Sequence, residues 1–465
     1  MIRFFRHYVP TYTLLLVGVE GLILVASIYL GVSARFMEGG EPASASAQSI
    51  LPIAVVFMLV MIVAMTAFGL YAWEWMDGAK EMLLRVGASF VAGFTVMSLV
   101  FYLFPDLFLG RGAFSIAFLF ALAGVTLARF AFFKWSHLDI MKKRVLVLGT
   151  GSRAAKIESM LKSTQRAQRV HIVGYLPLSG THHYVEHSRV LMERGSISSI
   201  IEKYNVDEIL IAVRDRRGGG LPTSELLDCK LSGISVIELS TFFERENGQL
   251  QLESLNASWM ILSEGFRQGL TRDAVKRAFD LLASGLLLLG SLPVMGLAAL
   301  LISLESSGPV LYRQERIGQY GRPFTIFKFR SMRTDAESDG KPQWAGQNDD
   351  RTTRVGRVIR KLRIDELPQI FNVFLGEMSF VGPRPERPFF VEQLVKEIPY
   401  YASRHSVKPG ITGWAQVRYA YGASVEDAIE KLQYDLYYVK NHGLFLDMMI
   451  LFQTAQVVLW GKGAR

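Results

Sequence analysis

The sequence predicts a multi-domain membrane protein built as a four-helix transmembrane bundle, a Rossmann-like α/β domain and a second α/β domain behind an interrupted apolar helix. Three observations predict it. Four apolar runs, at residues 8–32, 50–73, 83–104 and 113–133, each approach the ~20 residues needed to cross hydrocarbon. A strand, a glycine-rich turn and a helix open at residue 145. A fifth apolar run, at 281–304, is interrupted by Gly290-Ser291-Leu292-Pro293. With 465 residues and 50% hydrophobic composition, the chain is too long for one ordinary core and apolar enough to meet lipid.

The first run begins after Arg3 and Arg6, as a signal peptide would. Its length, and the three similar runs behind it, favour a retained anchor. Arg3, Arg6, Lys80, Arg85, Lys134, Lys142, Lys143 and Arg144 flank the runs on one side, and only Arg35 and Arg111 on the other. The N-terminus and everything after residue 134 are therefore expected in the cytoplasm. Residues 37–49, rich in Gly, Ala and Ser, then form an external loop. The chain carries 51 Lys+Arg against 42 Asp+Glu, a net +9, with the cations mostly beside or after apolar segments. That pattern suits a membrane surface or phosphate-bearing substrates; with no zinc-finger spacing and no leucine heptads, it excludes nucleic acid as the expected partner. Cys229 is the only cysteine, so no intramolecular disulfide can form, and it reads as a small core hydrophobe in a reducing compartment.

The bundle occupies residues 1–141 and the Rossmann-like domain 142–265. In the latter, strand 145–148 runs into Gly149-Thr150-Gly151-Ser152-Arg153-Ala154, and further apolar strands follow at 170–175, 209–213 and 234–239 with helical stretches between them. A small parallel sheet is expected. The acid that would hold a ribose is missing, because the second strand runs into Leu176-Pro177, so the domain reads as structural or regulatory. His182, His183 and His187 lie in a polar stretch without a matching ligand set and read as a solvated loop.

The third domain spans 270–465. Pro293 removes a helical hydrogen bond and clashes with the preceding turn, so the fifth run is expected to break there, enter one leaflet and return, with Ser291 satisfying a freed carbonyl. Residues 308–312 and 322–330 read as two strands joined by a turn containing Gly318 and Gly321. Next, Arg351, Arg354, Arg357 and Arg360 recur every three residues, with Lys361 and Arg363 beside them. On a helix they form a stripe facing lipid headgroups, a diphosphate or plain solvent. The stripe leads into Asp365-Glu366-Leu367-Pro368. Two adjacent carboxylates among so many cations are expected to have lowered pKa values, to be ionised at neutral pH, and to hold a divalent cation or attack phosphorus.

Six motifs occur in one order: Lys276-Arg277-Ala278-Phe279-Asp280, the Ser291/Pro293 break, Lys328-Phe329-Arg330-Ser331-Met332, Asp365-Glu366-Leu367-Pro368-Gln369, Gly382-Pro383-Arg384-Pro385, and the stretch from Pro409-Gly410-Ile411-Thr412-Gly413 through Trp414-Ala415-Gln416-Val417. Together they resemble the bacterial sugar transferase family, the polyprenyl-phosphate hexose-1-phosphate transferases that initiate exopolysaccharide, capsule and O-antigen synthesis. The four N-terminal helices and the Rossmann-like domain are similar to its large members. The resemblance implies that residues 270–465 are an α/β monotopic catalytic domain, held by a re-entrant helix-break-helix at Ser291 and Pro293 and by amphipathic helices at the interface. The tail 444–460 agrees: it is apolar but carries Asp447, Gln453, Thr454 and Gln456, and is short for a span.

The same resemblance implies transfer of a sugar 1-phosphate from a UDP-sugar to undecaprenyl phosphate at the bacterial inner membrane, with UMP released. Asp365 maps to the nucleophile, and Glu366 to a magnesium-binding or orienting partner. The implied cofactor is Mg2+, with Asp365 and Glu366 as its ligands. Arg384 maps to a phosphate-binding role, and Lys328, Arg330 and Arg360 are further phosphate-binding candidates. One-step transfer, with Asp365 only holding metal, is the alternative mechanism. A non-catalytic polysaccharide-assembly scaffold would have lost Asp365, Glu366 or Arg384, and all are present. A transporter or channel with a regulatory Rossmann-like domain would need polar groups in its spans, which carry few beyond Glu20, Thr66, Thr95, Thr126 and Arg129. The expected partners are a UDP-sugar, undecaprenyl phosphate and the lipid bilayer; a homo-oligomer is left open. Arg363-Ile364 before the acids and Glu386-Arg387 after the turn depart from the commoner family pattern, which leaves the sugar unassigned.

Overall fold

The computed structural model describes residues 2–4, 7–36, 47–71, 78–136, 142–163, 170–178, 184–192, 195–213, 221–255, 266, 269–333, 351–419, 422 and 424–460. Most of the expected external loop, and His182 and His183, lie outside these residues. The chain divides into two compact units, one of Met1–Ile2 and Tyr8–Gly248, the other of Arg3–His7 and Gln249–Arg465.

The first unit begins with four helices, α1 (Thr11–Phe36), α2 (Ala47–Ala67), α3 (Ala79–Leu103) and α4 (Arg111–Ser136), each with a stretch long and apolar enough to cross a membrane. Leu24, Ile28, Phe57, Met61, Phe90 and Ala121 meet in their shared core. Several polar groups inside the runs find partners within them. Glu20 and Arg129, both buried, pair at 2.7 Å, and Tyr71 donates to Glu20 at 2.6 Å. The Thr66 and Thr95 hydroxyls donate back to the Ile62 and Val91 carbonyls. Because α2 stops at Ala67, carbonyls just beyond it lose their helical partners; Arg129 donates to Leu70 (2.8 Å) and Arg85 to Gly69 (3.3 Å). Arg85, read from sequence as a flanking cation, is thus 1% exposed and paired with Glu81.

The α/β part of this unit runs β1 (Lys143–Leu148), α5 (Ser152–Ser163), β2 (Val170–Leu176), α6 (Ile197–Tyr204), β3 (Glu208–Ile211), α7 (Thr223–Leu231), β4 (Ser235–Glu238) and α8 (Leu239–Asn247). Its four strands form one parallel sheet in the order β2-β1-β3-β4. β1 is apolar on both faces because both are covered: Val145 and Val147 pack with Ile157 and Phe242, Leu146 and Leu148 with Ile200 and Leu226. Gly149 takes a left-handed φ of 111° and donates to the Leu176 carbonyl. Cys229 is buried, and His187 is exposed.

The second unit contains α9 (Leu270–Glu305), β5 (Leu311–Ile317), β6 (Pro323–Phe329), α10 (Arg354–Lys361), α11 (Gln369–Leu375), β7 (Ser379–Val381), α12 (Pro388–Glu397), β8 (Gly410–Thr412), α13 (Trp414–Arg418), α14 (Val425–Asn441) and α15 (Leu444–Trp460). β5 and β6 form an antiparallel hairpin, β7 and β8 a parallel pair. Val373, Met378, Val381, Trp414, Leu436 and Ile450 lie in the core, which Leu250 and Leu255 join. Those two leucines are why this unit starts at Gln249, ahead of the boundary at 265 expected from sequence.

α9 extends from Leu270 to Glu305 with Pro293, the position of the expected break, inside it. The Ser291 hydroxyl lies 3.4 Å from the Leu288 carbonyl, one residue before Leu289, whose i+4 partner is the proline that has no N–H. Asp280, Ser284, Ser291, Met295, Ala298 and Ile302 are buried along one face, whereas Leu282, Leu286, Leu289, Leu297, Leu300 and Leu304 are exposed. α15 has the same inverted character, with Asp447, Gln453 and Gln456 buried alongside Leu446 and Ile450.

Candidate active site

Asp365 and Glu366 sit on a short 3-10 turn, Ile364–Glu366, entered through Arg363 in a left-handed conformation (φ 59°) and followed by Pro368 at the start of α11. Asn372 fixes this turn relative to the hairpin. Its Oδ1 accepts from the Phe327 amide (3.1 Å), and its Nδ2 donates to the Thr325 carbonyl (2.7 Å) and to Glu377 (2.8 Å). β6 and α11 are thereby locked, which brings Lys328 of β6 onto the acid pair. Lys328 Nζ and Arg384 each lie 3.2 Å from Glu366 Oε1, and Arg363 lies 3.8 Å away.

The two acids, each 9% exposed, receive very different environments. Burial alone would raise the Glu366 carboxyl, but Lys328 and Arg384 outweigh it and hold Glu366 well below the usual carboxylate range. Asp365 is pushed up instead, first by burial and then by the neighbouring Glu366 charge, against the weaker pull of Lys328, Arg363 and Arg360. Its Oδ1 is buried without a hydrogen-bond partner. The expectation that both acids have lowered pKa values is thus corrected. The cations converge on one oxygen of Glu366, and no described cation bonds Asp365.

Arg384 is presented by a turn interlocked through backbone. Gly382 N donates to the Thr412 carbonyl (2.9 Å), Gly410 N donates to the Pro383 carbonyl (3.0 Å), and a Cβ at Gly413 would collide with the Gly382 carbonyl. No side chain fits between these segments, which explains the glycines of both motifs. Arg404 supports the turn from behind. It donates to the Arg384 carbonyl (3.0 Å) while paired with buried Asp435 (2.7 Å) and bonded to the Tyr401 hydroxyl (2.9 Å).

The other sequence candidates are placed apart from the acids. Arg330 is 6% exposed and turned to the end of α9, donating to the carbonyls of Ser307 (2.9 Å) and Ser306 (2.7 Å). Its geometry is that of a helix C-cap. Arg360 donates to Thr352 Oγ1 (3.3 Å) and acts on Asp365 only through its charge. Glu305 caps the opposite partner, accepting from the Arg354 and Val355 amides that open α10 (2.7 and 3.0 Å). At the other end of α9, Lys276 pairs with Asp447 (2.6 Å), Arg277 donates to the Val373 and Phe374 carbonyls (2.7 Å each), and Asp280 accepts from Ser379 Oγ (3.0 Å) and Phe380 N (3.2 Å). This motif fastens α9 to α11, β7 and α15. Sequence reasoning missed Arg404 and Asp435. The signal was Asp435 itself, a lone acid among Tyr434, Leu436, Tyr437 and Tyr438, which requires a buried cation.

Among the described residues no group of three or more His, Cys, Asp or Glu converges as a metal cage. Asp365 and Glu366 supply two carboxylates, one with an unpartnered buried oxygen. That donor set fits magnesium, which takes one or two carboxylates and completes its shell from phosphates and water.

Fold and site together define a membrane protein whose C-terminal α/β unit carries a site suited to phosphate chemistry. A family described as Bacterial sugar transferase matches residues 271–461, and the chain belongs to this family, as the six motifs indicate. It is 42% identical over 259 residues to the UDP-N-acetylgalactosamine-undecaprenyl-phosphate N-acetylgalactosaminephosphotransferase of Aeromonas hydrophila, covering 56% of this chain and 60% of that protein. It is 47% identical over 194 residues to an undecaprenyl-phosphate glucose phosphotransferase of Komagataeibacter xylinus, covering 41% of this chain and 36% of that protein. With a UDP-glucose:undecaprenyl-phosphate glucose-1-phosphate transferase of Caulobacter vibrioides it shares 42% identity over 189 residues, which is 40% of this chain and 70% of that protein. The chain thus spans under two thirds of the first two relatives.

Proposed function

We propose that this chain transfers a sugar 1-phosphate from a UDP-sugar to undecaprenyl phosphate through a phospho-Asp365 intermediate, at the cytoplasmic face of a bacterial inner membrane. The observation that carries this is the asymmetry of the acid pair. Glu366 is held ionised by two cations, while Asp365 Oδ1 is left without a hydrogen bond. In the first step an Asp365 oxygen attacks the phosphorus that bears the sugar, and the bond to the bridging oxygen breaks, releasing UMP with that electron pair. In the second, an oxygen of undecaprenyl phosphate attacks the phospho-aspartate, and the breaking acyl-phosphate bond returns the carboxylate. Arg384 neutralises charge on the donor phosphates, and Glu366 orients Lys328 and Arg384 towards them. Magnesium bound at Asp365 and Glu366 would neutralise the diphosphate and polarise the bond that breaks. The relatives' names mention glucose or N-acetylgalactosamine and undecaprenyl phosphate, which supports this substrate class.

Parity supports this membrane arrangement. His7 bonds Tyr437 within one unit, so an even number of crossings separates them. α1 to α4 supply four, and a crossing by α9 would make the number odd. Both ends of α9 are held by the same α/β body, through Lys276 and Asp280 at one end and Glu305 and Ser306 at the other. In this reading α9 dips its leucine face into one leaflet and returns, leaving the site at the depth of the acceptor's headgroup.

Incubating the enzyme with a UDP-sugar and magnesium, without lipid acceptor, should release about one equivalent of UMP and add a sugar phosphate to the Asp365 peptide. Asp365→Asn should lower turnover by at least ~10³-fold. UMP release that strictly requires undecaprenyl phosphate, with no trapped adduct, would move the mechanism to direct transfer.

A further inference from the structure

His7, four residues before α1, is 7% exposed, and its hydrogen-bond partner in the second unit is 430 positions away. Its Nδ1 lies 2.7 Å from the Tyr437 hydroxyl. The ring stands edge-on to Trp414 at 5.7 Å and to Tyr437 at 5.9 Å, and tilts against Phe445 at 6.5 Å. Trp414 and Tyr437 are 1% and 0% exposed and stack at 5.9 Å. The imidazole is therefore packed against side chains from α13, α14 and α15. An imidazole is costly to bury unless its polar atoms are used, and the bond to Tyr437 fixes the plane of the ring.

Trp414 is next to Gly413, whose backbone backs onto the Gly382 carbonyl, and Gly382 in turn bonds Thr412 two residues before Arg384. The path from His7 to Arg384 thus passes through one buried ring and one backbone interlock. We infer that His7 is a positioning residue of the transferase site: the segment ahead of α1 completes the catalytic unit and, by fixing Trp414, holds the turn that presents Arg384. This rests on the function proposed above.

In the full-length protein, His7→Ala should raise the KM for the UDP-sugar about 10- to 100-fold, the scale of a displaced phosphate-binding group, with kcat changed little. Two repairs should work. His7→Asn keeps a hydrogen-bonding atom near the Nδ1 position, and free imidazole fits the space that His7→Ala empties; each should restore KM. Hydrogen exchange read by mass spectrometry should quicken over residues 410–419 in His7→Ala and recover with imidazole. If His7→Ala fails to reach the membrane, His7→Phe, which fills the space without the bond, carries the same KM expectation. Unchanged KM despite faster exchange overturns the proposal and leaves His7 as core filler. So does a joint loss of kcat and stability that neither imidazole nor Asn repairs. A wild-type protein that releases no UMP from any UDP-sugar overturns the transferase reading and this proposal with it, and is told apart because the exchange difference at 410–419 would persist.

Discussion

Replacing Lys328 by methionine keeps the length and stem of the side chain and removes its charge. Nζ stands 3.2 Å from Glu366 Oε1, where two unit charges attract by about 5 kcal/mol at an effective dielectric near 20. Part of that attraction is already spent, because burial pushes the Lys328 ammonium below its ordinary pKa. Arg384 also remains on the same oxygen. The net loss should be about 2–3 kcal/mol, a little under the cost of leaving a buried charge with no partner. At ~1.4 kcal/mol per pKa unit, the Glu366 carboxyl then rises by about two units. Asp365 loses a cation that draws its own pKa down, so it moves the same way. The sign follows: Glu366 is depressed in the folded chain, so its ionised form adds stability above the unfolded pKa, and that stability is lost as pH falls through the folded value. Lys328→Met raises the pH at which it is lost. The acid limb of kcat/KM for UMP release should shift upward by about 1–2 units, with the stability loss largest near neutral pH and shrinking in acid. An unmoved acid limb, whatever the KM for the UDP-sugar, would refute this reasoning.

Arg330→Met strips the cap from the end of α9 and should cost about 2–3 kcal/mol, seen as a lower melting temperature, with the donor KM unchanged. A raised KM at unchanged stability would return Arg330 to the phosphates. For the membrane arrangement, cysteines placed just before Asp273 and just after Ser306 in a Cys229→Ser chain should both label from the cytoplasmic side; labelling of the second from the periplasm would make α9 a crossing.

Features written in contiguous residues were legible. α1 to α4 declare themselves because each is apolar almost all round, β1 because both its faces are covered, and the acid pair and glycine turns because they are short motifs. Which acid receives the cations was not legible, since it depends on Asn372 docking α11 against β6. Arg330 and Arg85 looked like free cations because nothing local announces the carbonyls they serve. Pro293 was legible as a weak point of α9, but the contacts that tie both ends of the helix to one α/β unit were not. His7 could not be read at all, as its partner lies at the far end of the chain.

The Glu20–Arg129 pair sets a clock on synthesis. The two residues are 109 positions apart, and translation at about 5–20 residues per second separates their emergence by roughly 5–20 seconds. Throughout that interval α1 carries an acid whose counter-ion has not been made. The pair that closes α1 onto α4 therefore forms only once both helices have been made. A nascent chain stalled before residue 129 leaves Glu20 with the Tyr71 hydroxyl and without its cation.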